Sequence, residues 1–269
     1  MTGLLRVEWG GPGDAVARVT LARPEVRNAF NVELIAQLHD VFAELASEPP
    51  DRLRAVVLAG EGKAFSAGAD IAWQRAAMHL SVEENRVDAG RLQAMLTAID
   101  ECPVPVVARV HGASLGGGMG LCCVADAVLA TADTVFGFTE VKLGILPAII
   151  GPFVLARIGE GHARALFMTG ERFDAARAER IGLVHEVLAD EAALDVRLES
   201  LLAELLSSGP TAVRQAKALI RERRSEPVAD FAARSLEVAA RQRVSAEGQE
   251  GLGAFLDKRR PSWLEPSES

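Results

Sequence analysis

Three consecutive glycines at residues 116–118 are the feature of this sequence that most directly suggests chemistry. They follow an apolar stretch typical of a β-strand and precede a predicted helix of small residues. Glycine runs lose much conformational entropy on folding and are used where backbone approaches a ligand or adopts unusual angles. At a helix start their N–H groups lack intrahelical acceptors, and the helix dipole lies behind them. The segment suits a phosphate or a transient oxyanion; a tight strand-to-helix turn is the plain alternative.

Two further segments stand out beside the glycine run. Residues 65–71 (FSAGADI) form a predicted loop after a strand, and residues 136–147 (FGFTEVKLGILP) contain Glu140. Glu140 lies between apolar Phe138 and Val141, a setting in which ionisable groups often carry function. A carboxylate at a helix start or on the surface is the alternative interpretation.

The common nucleotide-binding motifs do not fit the glycine run. Leu121 stands where a dinucleotide-binding fingerprint needs Gly or Ala, and no Gly-Lys-Ser/Thr follows for a P-loop. The formal net charge of -8 and the pI near 5.3 argue against nucleic acid as the main partner, because such binding depends on a basic surface.

Residues 112–116 (GASLG) match the nucleophile elbow of serine hydrolases, in the strand–turn–helix context that the motif requires. Ser114 would be the nucleophile. The acids and bases that could complete a triad in the right order are Asp126, Asp133, Asp174, His162 and His185. Two glycines beyond the motif, and the lack of a separate upstream oxyanion loop, make this the less favoured hypothesis.

The elements that must position these segments alternate between strands and helices. Predicted strands cover residues 15–21, 53–59, 104–110, 127–130 and 134–138, and helices are predicted after the caps Asn31 and Ser81 and over residues 119–125. This alternation indicates an α/β core with largely parallel pairing. After Leu188 the pattern is all helical, with helices opened by Pro210 and Pro227, a last helix over residues 245–258 and a disordered tail at 266–269.

Composition limits the partners further. A chain of 269 residues that is 49% hydrophobic can bury one large core with or without a small appendage. Without an apolar run of roughly 18 residues or a leader pattern, we expect a cytoplasmic protein with no membrane partner. The cysteines, Cys102, Cys122 and Cys123, are interpreted as buried thiols. The five histidines never recur at an i,i+4 ligand spacing, so we expect no metal.

The three segments, in this order and spacing, resemble the crotonase (enoyl-CoA hydratase/isomerase) superfamily. The resemblance covers nearly the whole chain, from Arg23-Pro24 to residues 255–261 (FLDKRRP). It implies an α/β fold, with a superhelix of ββα turns and the acyl-CoA site in residues 1–190 and a helical trimerisation region in residues 191–269. Trimers or dimers of trimers are expected, because the leucine-rich helices after Asp190 carry apolar faces that a lone subunit would have difficulty covering. Coenzyme A belongs to the substrate, and no other cofactor is implied.

The resemblance also assigns site residues. In the family two backbone N–H groups form an oxyanion hole for a thioester enolate; here they correspond to Ala69 and Gly117, and the catalytic carboxylate corresponds to Glu140. The implied substrate-binding residues are Ala67, Asp70, Ile71, Gly116, Gly120 and Leu143. The cations implied for the coenzyme A phosphates are Arg27 and, from the last helix of a neighbouring subunit, Lys258 or Arg259. A solvated surface charge explains each cation equally well.

Gly120 is a departure from the hydratase pattern. Family hydratases carry two catalytic glutamates, and Gly120 stands at the position of one of them. A single carboxylate can still move a proton between two carbons, which isomerises a double bond, or take a proton from water and return it to the α-carbon, which completes a hydration. Gly120 removes a negative charge and is expected to open space, and both changes favour a branched or carboxylate-bearing acyl chain.

Residues 116–121 (GGGMGL) and 139–150 (TEVKLGILPAII) resemble bacterial methylglutaconyl-CoA hydratase-like enzymes of leucine breakdown. The sequence therefore favours an enoyl-CoA hydratase for a methylglutaconyl-like or branched enoyl-CoA. Three alternatives stay open: a Δ3-Δ2 enoyl-CoA isomerase, a serine hydrolase acting through Ser114, and a non-catalytic acyl-CoA-binding relative that lost turnover with the second glutamate.

Overall fold

The computed structural model describes residues 3–224 and 227–264, so the predicted tail at 266–269 lies outside the described residues. Its larger sheet has the strand order β1-β2-β3-β4-β6-β9. The strands are β1 (Leu5–Gly10), β2 (Val16–Leu21), β3 (Ala55–Gly60), β4 (Val106–Val110), β6 (Ala127–Thr131) and β9 (Glu186–Leu188). β1 is antiparallel to β2, and the other neighbouring pairs are parallel, which confirms the largely parallel pairing predicted from the sequence.

A smaller sheet lies beside the first, in the order β5-β7-β8. It contains β5 (Ala113–Leu115), β7 (Val135–Gly137) and β8 (Arg172–Asp174), and an isolated parallel bridge joins Ser66 to Ser114 of β5. The chain passes from β4 to β5 and into a helix, and then from β6 to β7 and towards the next helix. It therefore winds as repeated ββα turns, as predicted.

Helices follow these strand pairs. They are α1 (Val32–Ala46), α2 (Ile71–Ala77), α3 (Val82–Asp100), α4 (Gly117–Val124), α5 (Gly151–Thr169) and α6 (Ala175–Arg180). The predicted caps are confirmed: the Asn31 side chain accepts from Leu34 N at 2.8 Å, and Ser81 forms a capping box with Glu84. The helix predicted to begin at Met119 already begins at Gly117, because Gly116 takes the N-cap position.

The main core joins the larger sheet to α1, α3, α4 and α5. Its fully buried members include Val19 and Leu58 from the strands and Leu38 and Met95 from the helices. All three cysteines are buried and free, as predicted. Burial raises the pKa of Cys122 to about 11, so this thiol is not a reactive thiolate near neutral pH.

α7 (Glu191–Ser207) covers the other face of the larger sheet. Leu194, Leu198 and Leu202 pack against strand residues such as Val57 and Val107, which alternate with residues that face the main core. This helix therefore packs as part of the core. The expectation that its leucines need a partner subunit to cover them is wrong.

Three helices follow α7: α8 (Pro210–Glu222), α9 (Val228–Val244) and α10 (Ala246–Leu256). Among their described residues, Ala254 alone is buried. Their exposed large apolar side chains are Ile220, Val228, Leu236, Val244, Leu252, Phe255 and Leu256. No helix in the described ranges has the length and apolar character needed to cross a membrane.

Candidate active site

Asn28 holds the loop at residues 60–70 in place through hydrogen bonds. It is fully buried, and its backbone φ is 54°. Its side-chain amide donates to Glu61 O at 2.9 Å and to Ala64 O at 2.8 Å. The Ser66 hydroxyl donates to Asn28 O at 3.0 Å. Asparagine enters this left-handed region more readily than most residues with a side chain, which explains its use here.

Phe30 holds the end of the same loop. Its N–H donates to Gly68 O at 2.7 Å, and its carbonyl accepts from Asp70 N at 2.8 Å, as in a parallel β-bridge. Because successive N–H groups of extended backbone point to opposite sides, the Ala69 N–H points away from Phe30. Within residues 3–224 and 227–264 this N–H donates to no acceptor.

The glycine loop lies directly against Gly68. Gly68 has φ at 87°, and a Cβ there would lie 2.7 Å from Leu115 O and 3.3 Å from Gly117 N, so glycine is required. The Gly117 N–H is the first of α4 and has no intrahelical acceptor. It also donates to none of the described residues. The structure thus brings the open N–H groups of Ala69 and Gly117 onto adjacent loops.

Glu140 begins the short 3₁₀ helix Glu140–Leu143, which follows β7. Its carboxylate lies over the glycine loop, because a Cβ at Gly116 would be 3.6 Å from Glu140 Oε1. The second oxygen, Oε2, is buried and has no hydrogen-bond partner in the described part of the chain. Burial raises the pKa of Glu140. An unsatisfied carboxylate oxygen is costly in apolar surroundings, so this group is suited to take up a proton or to meet a bound ligand.

Gly120 does not lie beside open space, and the expectation of room at this position is wrong. A Cβ at Gly120 would lie 2.8 Å from Ile150 Cγ2 and 3.3 Å from both methyl groups of Leu96. Both neighbouring side chains are buried. Because residue 120 has no side chain, these two aliphatic groups pack against α4 and fill the space. Gly120 itself carries no charge, and the three atoms nearest to a Cβ at this position are aliphatic.

Ser114 is unsuited to be a nucleophile. It is fully buried in β5, and its hydroxyl lies 3.4 Å from Cys122 Sγ. No histidine in the described ranges hydrogen-bonds to it, and His185 Nδ1 instead accepts from Val128 N at 2.9 Å. A nucleophile elbow needs an accessible hydroxyl next to a base. The serine-hydrolase hypothesis is therefore inconsistent with the structure.

The carboxylate of Asp70 is occupied by protein groups. It accepts from Ala72 N at 2.8 Å as the N-cap of α2 and pairs with Arg23 Nη2 at 3.0 Å. Burial opposes ionisation, but the Ala72 N–H and the Arg23 guanidinium together hold the pKa of Asp70 below its ordinary value. Its predicted contact with substrate stays a prediction.

The other predicted substrate residues lie around the loops. Arg27 is exposed, and its carbonyl accepts from Ala67 N at 2.9 Å, which places the backbone of this residue next to the loop. Ile71 at the start of α2 and Leu143 at the end of the 3₁₀ helix are 78% and 63% exposed. Exposed aliphatic side chains at these positions can contact an acyl chain or a partner subunit.

Lys258 and Arg259 follow α10, which packs against α8 and α9. Arg259 pairs with both carboxylate oxygens of Glu250 at 2.7 Å and 2.8 Å, and this pairing lowers the pKa of Glu250 to about 2. The Lys258 N–H donates to Phe255 O at 3.3 Å, whereas its side-chain ammonium group forms no hydrogen bond or ion pair within the described part of the chain. Neither cation hydrogen-bonds to the glycine loops of its own subunit, so the predicted contact from a neighbouring subunit stays a prediction.

Sequence reasoning did not assign a role to Arg23, Asn28, Phe30 or Ile150, although each contacts the site or its loops. Asn28 offered a signal, since asparagine is favoured at left-handed backbone positions near turns. The packing roles of Phe30 and Ile150 had no such signal. Among the described residues, no group of three or more His, Cys, Asp or Glu side chains could hold a metal ion.

The chain is similar to known proteins over nearly its whole length. Residues 12–266 match the family described as enoyl-CoA hydratase/isomerase. A crotonyl-CoA hydratase of Syntrophomonas wolfei is 31% identical over 253 residues, which cover 93% of this chain and 95% of that protein.

Solved structures extend the comparison to the fold. Pseudomonas aeruginosa AtuE superposes with a TM-score of 0.92 at 39% identity, over 97% of this chain and 100% of that chain. An enoyl-CoA hydratase from Shewanella pealeana superposes with a TM-score of 0.90 at 34% identity, over 97% and 96% of the two chains. The match in sequence and fold extends over nearly the whole chain, and the chain therefore belongs to the enoyl-CoA hydratase/isomerase family of the crotonase superfamily.

Proposed function

We propose that the protein is an enoyl-CoA hydratase in which Glu140 is the single catalytic carboxylate. One observation carries this proposal: Glu140 Oε2 is buried without a hydrogen-bond partner in the described ranges, while the carboxylate lies over the glycine loop. The hydratase activities named for the crotonyl-CoA hydratase of Syntrophomonas wolfei and for the Shewanella protein support the same reaction class.

The N–H groups of Ala69 and Gly117 would bind the thioester oxygen. Addition to the double bond drives electron density onto this oxygen and creates an enolate. Donors that are already in place stabilise such charge by about 3 kcal/mol each. The backbone positions suit this role because both N–H groups have no acceptor among residues 3–224 and 227–264 and are open to a bound oxygen.

Glu140 would carry one proton through the whole reaction. Its ionised carboxylate takes a proton from water as the water oxygen bonds to the β-carbon, and the electron pair of the double bond moves into the enolate. Glu140 then returns that proton to the α-carbon. The product contains the atoms of one water molecule, and the carboxylate is regenerated.

The proposed substrate is a branched or carboxylate-bearing enoyl-CoA, such as methylglutaconyl-CoA. The atoms nearest to a Cβ at Gly120 belong to Ile150 and Leu96, and Gly120 itself brings no charge. An acyl carboxylate would be repelled by a protein carboxylate at this position, by a few kcal/mol at an intermediate effective dielectric, and here that repulsion is absent. The room for the acyl chain has to come from elsewhere in the site, since the space at Gly120 is filled.

A Δ3-Δ2 enoyl-CoA isomerase is the second candidate, and the same single carboxylate supports it. In that reaction Glu140 would take a proton from the α-carbon of a 3-enoyl ester and deliver it to the γ-carbon, with no water added. The oxyanion hole would stabilise the same kind of enolate.

We also propose a trimer or a dimer of trimers. The exposed apolar side chains of α8, α9 and α10, such as Phe255, support a partner surface. In such an assembly Arg27 of one subunit, together with Lys258 or Arg259 from the last helix of a neighbouring subunit, would bind the phosphates of coenzyme A.

A panel of methylglutaconyl-CoA, crotonyl-CoA and a 3-enoyl-CoA, followed by mass spectrometry, tests the proposal. Hydration adds the mass of one water, and isomerisation leaves the mass unchanged. We expect kcat/KM to be higher for methylglutaconyl-CoA than for crotonyl-CoA. Preference for crotonyl-CoA would refute the substrate, reaction of 3-enoyl esters alone would favour the isomerase, and no turnover would favour a non-catalytic relative.

A further inference from the structure

We infer that Phe30, braced by Arg23, is a positioning residue that sets the distance and direction between the N–H groups of Ala69 and Gly117. The inference rests on the proposed oxyanion hole. It assigns the alignment of the two donors to the backbone and ring of Phe30 and to the side chain of Arg23.

The backbone of Phe30 fixes the first donor. Its N–H and C=O bind Gly68 O and Asp70 N at 2.7 Å and 2.8 Å, one bond on either side of Ala69. Both peptide groups that flank Ala69 are therefore hydrogen-bonded to the backbone of Phe30. The Ala69 N–H can change its direction only if at least one of these bonds lengthens.

The ring of Phe30 contacts the second donor segment. A Cβ at Gly117 would lie 2.8 Å from Phe30 Cε2 and 2.9 Å from Cδ2, so the ring packs directly on the Gly117 backbone. Phe30 is fully buried, which leaves the ring little freedom to move. One residue thus binds the Ala69 segment through its backbone and supports the Gly117 segment through its side chain.

Arg23 ties together the two chain segments that meet at Phe30. Its guanidinium donates to Ala29 O on one segment and to Asp70 Oδ2 on the other, the latter at 3.0 Å. The side chains of Arg23 and Asp70 are 11% and 13% exposed, so solvent screens this pair less than a surface pair. Ala29 and Asp70 are the neighbours of the bridged residues Phe30 and Ala69. The guanidinium therefore stabilises the β-bridge between Phe30 and Ala69.

Loss of this brace should affect the chemical step more than binding. Charge on the thioester oxygen develops in the transition state, and a displacement of about 1 Å in a catalytic group can lower the rate by about 10²-fold. Ground-state binding of the coenzyme A portion does not depend on the two N–H groups. The signature is thus a lower kcat with a nearly unchanged KM.

A matched pair of buried phenylalanines provides the first test. Phe30→Leu removes the ring from Gly117, and Phe42→Leu removes an equally buried ring from α1 in the main core. We expect similar losses of thermal stability in the two variants. In Phe30→Leu alone, kcat should fall by about 10- to 100-fold, while KM stays within about threefold of the wild-type value. A Phe30→Leu enzyme with normal kcat, or an equal loss in Phe42→Leu, would overturn the inference.

Arginine variants provide the second test. Arg23→Gln should lower kcat with little change in KM, and Arg23→Lys should recover part of the loss. Arg54→Gln is the control, because Arg54 also donates to backbone carbonyls, those of Leu206 and Ser208, away from the site. Equal effects of Arg23→Gln and Arg54→Gln on kcat would contradict a positioning role.

Hydrogen exchange separates this inference from the proposed function. The backbone amides of residues 30 and 70 should exchange faster in Phe30→Leu and Arg23→Gln than in the two controls, whether or not any thioester is turned over. Unchanged exchange would refute the brace even if Glu140→Gln abolishes activity. Faster exchange with no turnover of any thioester by the wild type would refute the proposed function and leave the structural brace supported.

Discussion

Replacement of Glu140 by glutamine gives the sharpest test of the site. The side chain keeps its shape and loses the group that accepts and returns the proton. General acid–base catalysis of this kind contributes about 10²- to 10⁴-fold, so kcat should fall by that factor. The loss corresponds to about 3–5 kcal/mol of transition-state stabilisation, at about 1.4 kcal/mol for each tenfold change. The dissociation constant of the coenzyme A ester should change little.

The same substitution should leave folding stability intact or improve it near neutral pH. The ionised Glu140 carboxylate is partly desolvated, and Oε2 has no partner in the described part of the chain. Because the pKa is raised in the folded state, the folded protein binds this proton more tightly than the unfolded chain. Stability of the wild type relative to Glu140→Gln should therefore be greatest below the ordinary pKa of 4.5 and fall as the pH rises through the raised value.

Two measurements check these opposite effects. Steady-state turnover should show the loss of kcat. Thermal unfolding across pH 4–8 should show the stability of Glu140→Gln rising relative to that of the wild type as the pH rises. The acid limb of the wild-type kcat/KM profile should lie above pH 4.5, because the base must be ionised. Glu160→Gln, an exposed carboxylate on α5, is the control for both. Near-normal turnover of Glu140→Gln, or a clear loss of its stability at neutral pH, would refute the reasoning.

Three further predictions follow from the same structure. Ser114→Ala should keep kcat within a small factor, and a fluorophosphonate should leave no adduct by mass spectrometry; labelling of Ser114 with loss of activity would revive the hydrolase hypothesis. Light scattering of a dilute sample should give three or six times the subunit mass of 28.6 kDa, and a stable monomer would contradict the proposed trimer. Gly120→Glu should lower the free energy of unfolding by about 1–3 kcal/mol in chemical denaturation, because its Cβ would lie 2.8 Å from Ile150 Cγ2. In the double variant of Gly120→Glu and Ile150→Ala, the free energy of unfolding should fall by less than the sum of the two single-variant losses. Strict additivity of these losses would argue against the contact.

Local chemistry made a large part of the fold predictable. Asn31 and the Ser81–Glu84 pair mark helix starts because their side chains accept hydrogen bonds from nearby N–H groups, and both caps occur where predicted. The alternation of apolar strands and helices indicated parallel pairing, since parallel strands need a crossover between them. These signals lie within a few residues of each other, so the sequence displays them directly.

The candidate site was predictable to the extent that chemistry requires particular residue types. Glu140 between apolar neighbours and the glycine run at 116–118 suggested a carboxylate and open N–H groups, and the structure places the carboxylate over Gly116. The Gly-x-Ser-x-Gly match was misleading because a motif specifies residue types and spacing but not exposure. Ser114 has the right spacing and is fully buried.

The sequence by itself determined the alternation of strands and helices, the helix caps, the loops that carry open N–H groups and the Glu140 carboxylate near them. Tertiary structure alone decided that Ile150 and Leu96 fill the space at Gly120, that the leucines of α7 cover the sheet, and that Phe30 lies between the two donor segments. The physical reason is that caps and turns depend on hydrogen bonds between near neighbours in the chain. The filling of a space depends on side chains from distant segments, which come together only when the whole core packs.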